Sequence, residues 1–156
     1  MGSVFITGGS RGIGAACVRA FAEAGRPAAF TYSARRDKAE ALAAETGALA
    51  LCADSADRDA VENAVKTARE SLGAIDTVVC NAGIAQQKLF QDITDDEWLT
   101  MLNVNLMGAV RTIRAALPDM LHRQKGSIVI VSSMWGERGA SCESHYAASK
   151  AALIGL

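Results

Sequence analysis

The amino-acid sequence predicts an α/β fold with a doubly wound parallel sheet. Short apolar runs alternate with helical stretches along the whole chain. The runs show no apolar–polar alternation, which is typical of strands buried on both faces by flanking helices. Polar and glycine residues suited to chemistry follow directly after these runs, and ligands bind at this edge of such sheets. Together the three observations favour one parallel sheet between two layers of helices.

Five runs are predicted to be strands, and four longer stretches between them to be helices. The strands are residues 4–7, 28–32, 48–52, 75–80 and 127–132. The helices are residues 12–24, 35–46, 57–72 and 95–124. The third helix is amphipathic, because its apolar residues recur at helical spacing: Val61, Val65, Ala68 and Leu72. A glycine after each helix is predicted to act as its C-terminal cap, namely Gly25, Gly47, Gly73 and Gly126.

The composition indicates one globular domain without a strongly charged surface. The chain has 156 residues, and 50% of them are hydrophobic, which suits one core but not two ordinary domains. Sixteen basic and 17 acidic residues give a net charge of −1, so we expect no nucleic-acid or membrane partner. The chain opens on a short strand-like run, so we expect no signal peptide and a cytoplasmic location. The cysteine spacings fit neither a zinc site nor a C-x-x-C pair, and no metal is expected.

The turn after the first strand is rich in glycine and is followed by a helix. Glycines let the backbone turn sharply and approach a pyrophosphate, whose charge is met by the N-terminus of the helix. Glycine turns also serve purely structural needs, but the strand before this one and the helix after it favour dinucleotide binding. The cofactor-binding candidates in this turn are Thr7, Gly8, Ser10, Arg11, Gly12, Ile13 and Gly14.

The end of the second strand bears on the choice of cofactor. A carboxylate there would bind the ribose hydroxyl of NAD and repel the phosphate of NADP. The position is near Ser33, and no acid occurs before Asp37. Arg35 and Arg36 follow, and the guanidinium groups of these residues and of Arg11 suit a phosphate. The sequence therefore favours NADP(H), although Arg35 and Arg36 could also be the solvated start of a helix.

Several motifs occur together in a fixed order. They are T-G-x-x-x-G-x-G at residues 7–14, Asn81-Ala82-Gly83, Asn105, Ser133, and Tyr146-x-x-x-Lys150. In this order and at these spacings the chain resembles the short-chain dehydrogenase/reductase family, and it is similar to the 3-oxoacyl-acyl-carrier-protein reductases. The resemblance covers the whole chain. It implies a Rossmann sheet with strand order 3-2-1-4-5, formed by a single cofactor-binding and catalytic domain over residues 1–156.

Tyr146 and Lys150 also make chemical sense on their own. Residues four apart share one face of a helix. A phenol ordinarily titrates near pH ~10, and a neighbouring ammonium favours loss of its proton. The resemblance implies that Tyr146 is the general acid–base and that Lys150 assists it and holds the nicotinamide ribose. It also implies that Ser133 hydrogen-bonds the substrate oxygen and that Asn105 supports a water in the proton relay.

Further residues are assigned through the resemblance. Asp54 would contact the adenine ring, although it could instead cap the helix that begins near Asp57. Asn81, Ala82 and Gly83 would line the cofactor cleft. His145 could line the substrate entrance or lie at the surface.

The predicted function is an NADP(H)-dependent oxidoreductase that moves hydride between the nicotinamide and a carbonyl or alcohol substrate, most like a 3-oxoacyl-thioester reductase. Residues 135–143 also resemble reductases that act on a ketone of modified elongation factor P, which is one alternative. A non-catalytic dinucleotide-binding module is another. The resemblance implies a homotetramer or homodimer. The chain stops soon after Lys150 in an apolar helical run, so we expect a fragment that lacks the C-terminal strands.

Overall fold

The computed structural model describes residues 2–156, which form a sheet of five parallel strands. The strands are β1 (Ser3–Ile6), β2 (Ala28–Tyr32), β3 (Leu49–Cys52), β4 (Ile75–Cys80) and β5 (Ser127–Ile130). Their order in the sheet is β3-β2-β1-β4-β5, which confirms the predicted topology. Every residue of β1 and β4 is buried, which explains why these strands show no alternation in the sequence.

Residues 2–156 also form seven α-helices, which connect the strands and cover the sheet. They are α1 (Gly12–Glu23), α2 (Arg36–Thr46), α3 (Arg58–Leu72), α4 (Asp95–Leu102), α5 (Gly108–Arg123), α6 (Met134–Glu137) and α7 (Ser144–Gly155). Short 3-10 and π segments occupy Phe90–Asp92 and Asn103–Met107. Within residues 2–156 we find no helix with the length and hydropathy of a membrane span.

Two apolar cores lie on opposite faces of the sheet. The first packs α1 and α2 on the sheet, with Val18 and Leu42 against Ile6 and Phe30. The second packs α3 and α5 on the other face, where Phe5 belongs to the cluster. Ile6 and its neighbour Phe5 therefore point into different cores, as successive residues of a strand must. This arrangement is the doubly wound fold predicted from the alternation of strands and helices.

Glycines end three of the helices as predicted, and the fourth helix ends differently. Gly25, Gly47 and Gly73 follow α1, α2 and α3 with positive φ angles of 68°, 71° and 79°. After α5 it is Gln124 that takes the left-handed conformation, at φ 49°. Gly126 instead lies against Met120, since a Cβ at Gly126 would be 2.5 Å from the Met120 Cγ. The prediction that Gly126 caps the helix was therefore wrong.

The predicted helix over residues 95–124 is not uniform. It divides into α4, the π segment Asn103–Met107 and α5. Thr94 and Glu97 form a capping box at the start of α4, so this end of the prediction was right. A π segment inserts one extra residue into a helical turn, and such insertions often occur at functional sites.

Asp76 stabilises the amino-terminal edge of the sheet through hydrogen bonds and an ion pair. Its carboxylate accepts a hydrogen bond from the backbone N–H of Gly2 at 2.7 Å, and it pairs with Arg26 and the Thr77 hydroxyl. Burial alone would raise the pKa of Asp76, but the hydrogen bonds from Thr77 and Gly2 and the charge of Arg26 hold it below its ordinary value. Asp76 therefore has a structural role at the start of β4.

Candidate active site

An open cleft of about 740 Å³ lies beyond the carboxyl ends of the strands. It spans the junction of β1 and β4, where the winding of the sheet reverses, and ligands bind at such a junction. Most of the residues that line it come from the loops after four strands. They are Gly8, Ser10, Arg11, Gly12, Ile13, Thr31, Tyr32, Ser33, Ala34, Arg35, Ala53, Asp54, Ser55, Asn81, Ala82, Gly83, Ile84 and Val104.

The glycine turn between β1 and α1 leaves room for a phosphate group. Gly8 and Gly12 have φ angles of 66° and 55°, which residues with a side chain rarely adopt. A Cβ placed on Gly12 would meet nothing within 4 Å, so the space above the turn is open. Arg11 precedes α1 and makes no side-chain cap, so the first amides of the helix stay available for an anion. The residues present fit the pyrophosphate of a dinucleotide.

Thr7 and Gly14 lie behind this turn rather than on its surface. The buried Thr7 hydroxyl oxygen accepts hydrogen bonds from the backbone N–H groups of Asn81 and Ala82, both at 3.0 Å. The Asn81 amide in turn donates to the carbonyl oxygens of Thr7 and Gly8, also at 3.0 Å. A Cβ on Gly14 would lie 2.3 Å from the Gly8 carbonyl oxygen. These residues therefore support the floor of the cleft.

Ser33 and Arg35 are among the residues that line the cleft, and Arg36 is not. The Arg35 guanidinium pairs with Asp37 at 2.9 Å and holds the pKa of that carboxyl at about 2. Arg36 points along its own helix and pairs with Glu40 at 2.7 Å. The structure thus separates the two arginines that the sequence placed together.

Asp54 also lines the cleft, at the loop after β3. Its Oδ1 accepts a hydrogen bond from the backbone N–H of Ala56 at 2.8 Å. The cap of α3 is Asp57, whose Oδ1 accepts from the N–H of Ala60 at 3.0 Å. The alternative that Asp54 caps this helix was therefore wrong.

Tyr146 and Lys150 lie on successive turns of α7. The Lys150 Nζ is 5.7 Å from the centroid of the Tyr146 ring and donates a hydrogen bond to the Val131 carbonyl oxygen at 2.9 Å. A Cβ on Gly83 would lie 3.6 Å from this Nζ, so the ammonium group lies close to the cleft wall at Gly83. Lys150 is almost completely buried, and this burial lowers its pKa.

Ser133 precedes the short helix α6, which packs against α7. The Ser133 Oγ accepts a hydrogen bond from the backbone N–H of Trp135 at 3.2 Å, which leaves its own hydrogen for another acceptor. Ser132 donates from its Oγ to the Lys150 carbonyl oxygen at 2.8 Å. Gly136 allows this close approach, because a Cβ there would lie 2.8 Å from the Lys150 carbonyl group. The loop that carries Ser133 is thus joined directly to the helix that carries Lys150.

Asn105 lies in the π segment and is 1% exposed. Its Oδ1 accepts from the backbone N–H of Ile84 at 2.8 Å, and its Nδ2 donates to the Ile84 carbonyl oxygen at 3.0 Å. The Nδ2 also donates to the Ser149 Oγ at 2.9 Å. Ser149 in turn donates to the Tyr146 carbonyl oxygen at 2.7 Å. The Asn105 side chain therefore connects the segment after β4 with the first turns of α7.

The buried environment of His145 was not predicted from the sequence. This residue is 0% exposed, so it lies neither in the substrate entrance nor at the surface, and both alternatives were wrong. Its ring packs edge-on against Trp98 at 5.7 Å, and its Nε2 lies 2.9 Å from the Gln86 Oε1. His145, Ser149 and Leu153 recur every four residues and are all buried. That spacing was the available signal for the buried face of this helix.

Comparisons with known proteins agree with the fold. The model of the short chain dehydrogenase family matches residues 3–156. The chain is 38% identical over 153 residues to an acetoacetyl-CoA reductase of Synechocystis sp., covering 98% of this chain and 61% of the relative. It is 36% identical over 159 residues to the 3-oxoacyl-acyl-carrier-protein reductase FabG of Staphylococcus aureus, covering 99% of this chain and 65% of the relative.

A solved structure gives the same result. A short chain dehydrogenase from Burkholderia cenocepacia in complex with NADP is 38% identical, with a TM-score of 0.90, and the match covers 99% of this chain and 64% of that one. The chain therefore spans less than two thirds of the length of these relatives. With its parallel sheet, its glycine turn and its matched sequence from residue 3 to residue 156, the chain belongs to the short-chain dehydrogenase family.

Proposed function

We propose that this protein is an NADP(H)-dependent reductase of a carbonyl group, most like that of a 3-oxoacyl thioester. The observation that carries the proposal is the position of the Lys150 ammonium group. It lies beside the Tyr146 ring and reaches the cleft at Gly83. The acetoacetyl-CoA and 3-oxoacyl-acyl-carrier-protein reductases among the relatives support this class of substrate.

The residues around the cleft would hold the cofactor from end to end. The glycine turn would take the pyrophosphate, Asp54 the adenine, and Gly83 with Lys150 the nicotinamide ribose. Ser33 stands where NAD-binding proteins carry a carboxylate, so the 2′-phosphate of NADP would meet no negative charge there. Arg11 and Arg35 line the same cleft and would provide positive charge. The relative solved with NADP supports this choice.

The catalytic residues would act on the substrate oxygen. When bound, NADPH supplies the hydride that reduces the carbonyl carbon. The Tyr146 hydroxyl would give its proton to the oxygen, and the Ser133 hydroxyl would donate a hydrogen bond to the same atom. The charge on Lys150 would stabilise the phenolate left behind. Because burial lowers the pKa of Lys150, its own proton is less firmly held than on a surface lysine, which suits the return of a proton to Tyr146.

Asn105 would contribute through position rather than by carrying a proton. Both ends of its amide are already engaged, by Ile84 and by Ser149. A water of the proton relay would therefore be hydrogen-bonded to the main chain of the π segment, which the Asn105 amide holds in place. This deepens the role that the family resemblance implied for Asn105.

The test of the reaction is turnover by the full-length protein. We expect NADPH to be consumed, by absorbance, when an acetoacetyl thioester is added. Tyr146→Phe should lower kcat by roughly 10²–10⁴-fold, the usual contribution of a general acid, with NADPH affinity nearly unchanged. Activity that survives this change would contradict the assignment of the acid. Tight NADPH binding without turnover on a broad carbonyl panel would indicate a dinucleotide-binding module instead.

The test of cofactor choice is the ratio of kcat/KM for NADPH and NADH. We expect NADPH to be preferred. Ser33→Asp should reduce or reverse the preference, because it places a carboxylate against the 2′-phosphate. Arg36→Ala is a matched control, since Arg36 pairs with Glu40 and is absent from the cleft wall. A preference for NADH in the unchanged protein would refute the NADP(H) proposal.

The proposal extends to assembly and location. Leu99 on α4 and Leu121 on α5 are 63% and 66% exposed, which suits helices that pair with a second copy. We propose a homodimer or homotetramer in the cytoplasm. Light scattering on the purified full-length protein would give its mass, and a monomer would contradict this part of the proposal.

A further inference from the structure

His145 is buried beside the proposed acid and is only partly satisfied. It immediately precedes Tyr146 on α7, and its ring lies between Trp98 of α4 and Gln86 of the segment after β4. Among residues 2–156 its Nδ1 finds no hydrogen-bond partner and is fully buried. Leaving a buried polar group without a hydrogen bond is destabilising. An apolar ring could fill the same space without that cost, so packing alone does not account for a histidine.

The hydrogen bonds around Gln86 fix which atom of the histidine ring donates. The Gln86 Nε2 donates to the Glu97 Oε1 at 2.9 Å. Hydrogen bonds from Lys88, the Thr94 N–H and Gln86 hold the pKa of Glu97 at about 2, so this carboxylate is ionised and accepts only. Gln86 must therefore turn its amide hydrogens to Glu97 and its oxygen to His145. The His145 ring must then donate from Nε2.

This chain of polar groups holds one short segment between two helices. The segment 84–88 begins at Ile84, which lines the cleft and bonds to Asn105. Gln86 in its middle is held by His145 and Glu97. Lys88 at its end donates from its Nζ to Glu97 at 2.8 Å and from its backbone N–H to the Cys142 carbonyl oxygen at 2.7 Å. The segment is thereby fixed to α4 and to the loop that leads into α7.

We propose that His145 is a positioning residue, which acts through Gln86 to hold the segment 84–88 against the start of α7, beside the substrate side of the cleft. The consequence for catalysis rests on the proposed function, because it concerns the Tyr146 proton donor. Among residues 2–156, the hydrogen bond donated by the His145 Nε2–H is the only one that joins the first turn of α7 to the side chain of Gln86. Loss of this hydrogen bond should leave the cofactor end of the cleft unchanged and should make the segment 84–88, at the substrate end, more mobile.

The test compares two substitutions of similar polarity in the full-length protein. In His145→Gln, the side-chain amide nitrogen can occupy the place of Nε2 and still donate to Gln86. In His145→Asn, the shorter amide reaches only the place of Nδ1. Each variant is assayed for kcat and KM with NADPH and an acetoacetyl thioester. Hydrogen exchange is measured at the amides of residues 84–88, and thermal melting serves as the control for stability.

We expect His145→Asn to lower kcat about tenfold at temperatures well below its melting point, to leave the KM for NADPH within twofold, and to speed exchange at residues 84–88. His145→Gln should stay within threefold of the unchanged protein in each measurement. Equal behaviour of the Gln and Asn variants, or unchanged exchange in both, would overturn the inference.

The two proposals fail in different ways. If the unchanged protein turns over no carbonyl compound, the proposed function fails, and hydrogen exchange alone then decides whether His145 holds the segment. If the unchanged protein is active and the Asn variant equals it in kcat and exchange, only the positioning role fails. A fall in melting temperature with unchanged kcat and exchange would show a purely structural role and would also overturn the inference.

Discussion

The contact between α6 and α7 can be tested by adding a single methyl group at Gly136. A Cβ there would lie 2.8 Å from the carbonyl carbon and oxygen of Lys150 and 2.8 Å from the Ser132 Oγ. Ordinary van der Waals contact begins near 3.4 Å, so the two helices would have to separate by about 0.6 Å. The Lys150 atoms are backbone and cannot rotate away. Overpacking of this kind costs roughly 1–3 kcal/mol.

We therefore expect Gly136→Ala to lower the free energy of unfolding by that amount, measured by denaturant titration of the full-length protein. Its kcat should fall as well, because the change displaces the Ser133 loop from the helix that carries Lys150. Gly139→Ala, in the loop that follows α6, is the matched control, since a Cβ at Gly139 would meet nothing within 4 Å. If both variants unfold at the same denaturant concentration, the tight packing argued here is wrong.

Two further predictions concern the floor of the cleft and the amino-terminal edge of the sheet. Asn81→Ala removes both side-chain hydrogen bonds to the glycine turn, one of them to the Gly8 carbonyl oxygen, and should lower the free energy of unfolding by roughly 1–3 kcal/mol. Calorimetry should also show weaker NADPH binding. Unchanged NADPH affinity would contradict the role of Asn81. The pKa of Asp76 is lower in the folded than in the unfolded protein, so its stabilising effect is fully present above the ordinary carboxyl pKa and is lost as pH falls below that value and through the lowered pKa of the folded state. Asp76→Asn should therefore destabilise the protein at neutral pH and flatten the loss of stability in acid; equal acid slopes for both proteins would refute this.

The strands and the position of the cleft were predicted well because their sequence signals are local, whereas the strand order came from the family resemblance. Runs without alternation marked the strands, and the residues after them marked the cleft. The ends of helices were harder to predict, since a glycine after a helix does not by itself decide which residue turns left-handed, as Gln124 and Gly126 show. The π segment was not predicted, because one extra residue in a helical turn leaves no periodic pattern in the sequence.

Most of the residues predicted to bind the cofactor line the cleft, but the contacts that hold them there were not predicted. Arg36 was assigned to the cofactor, yet its partner Glu40 lies four residues on, a pairing that the sequence already contained. His145 could not be placed, because its neighbours Gln86 and Trp98 are distant in sequence and come together only when the chain folds. Residues that belong to one motif can be predicted from the sequence, whereas contacts between side chains of distant segments cannot.

The Thr7 hydroxyl, which accepts from the backbones of Asn81 and Ala82, makes one rigid piece of two loops that would otherwise fluctuate independently. A dinucleotide arriving there meets a surface that is ordered in advance, so little conformational entropy is lost on binding. On the proposed function, discrimination between NADP and NAD would then depend on residues at the edge of the cleft such as Ser33 and Arg35, whose side chains differ in charge. Engineering a new preference is accordingly a matter of substitutions at that edge, with the glycine turn left intact.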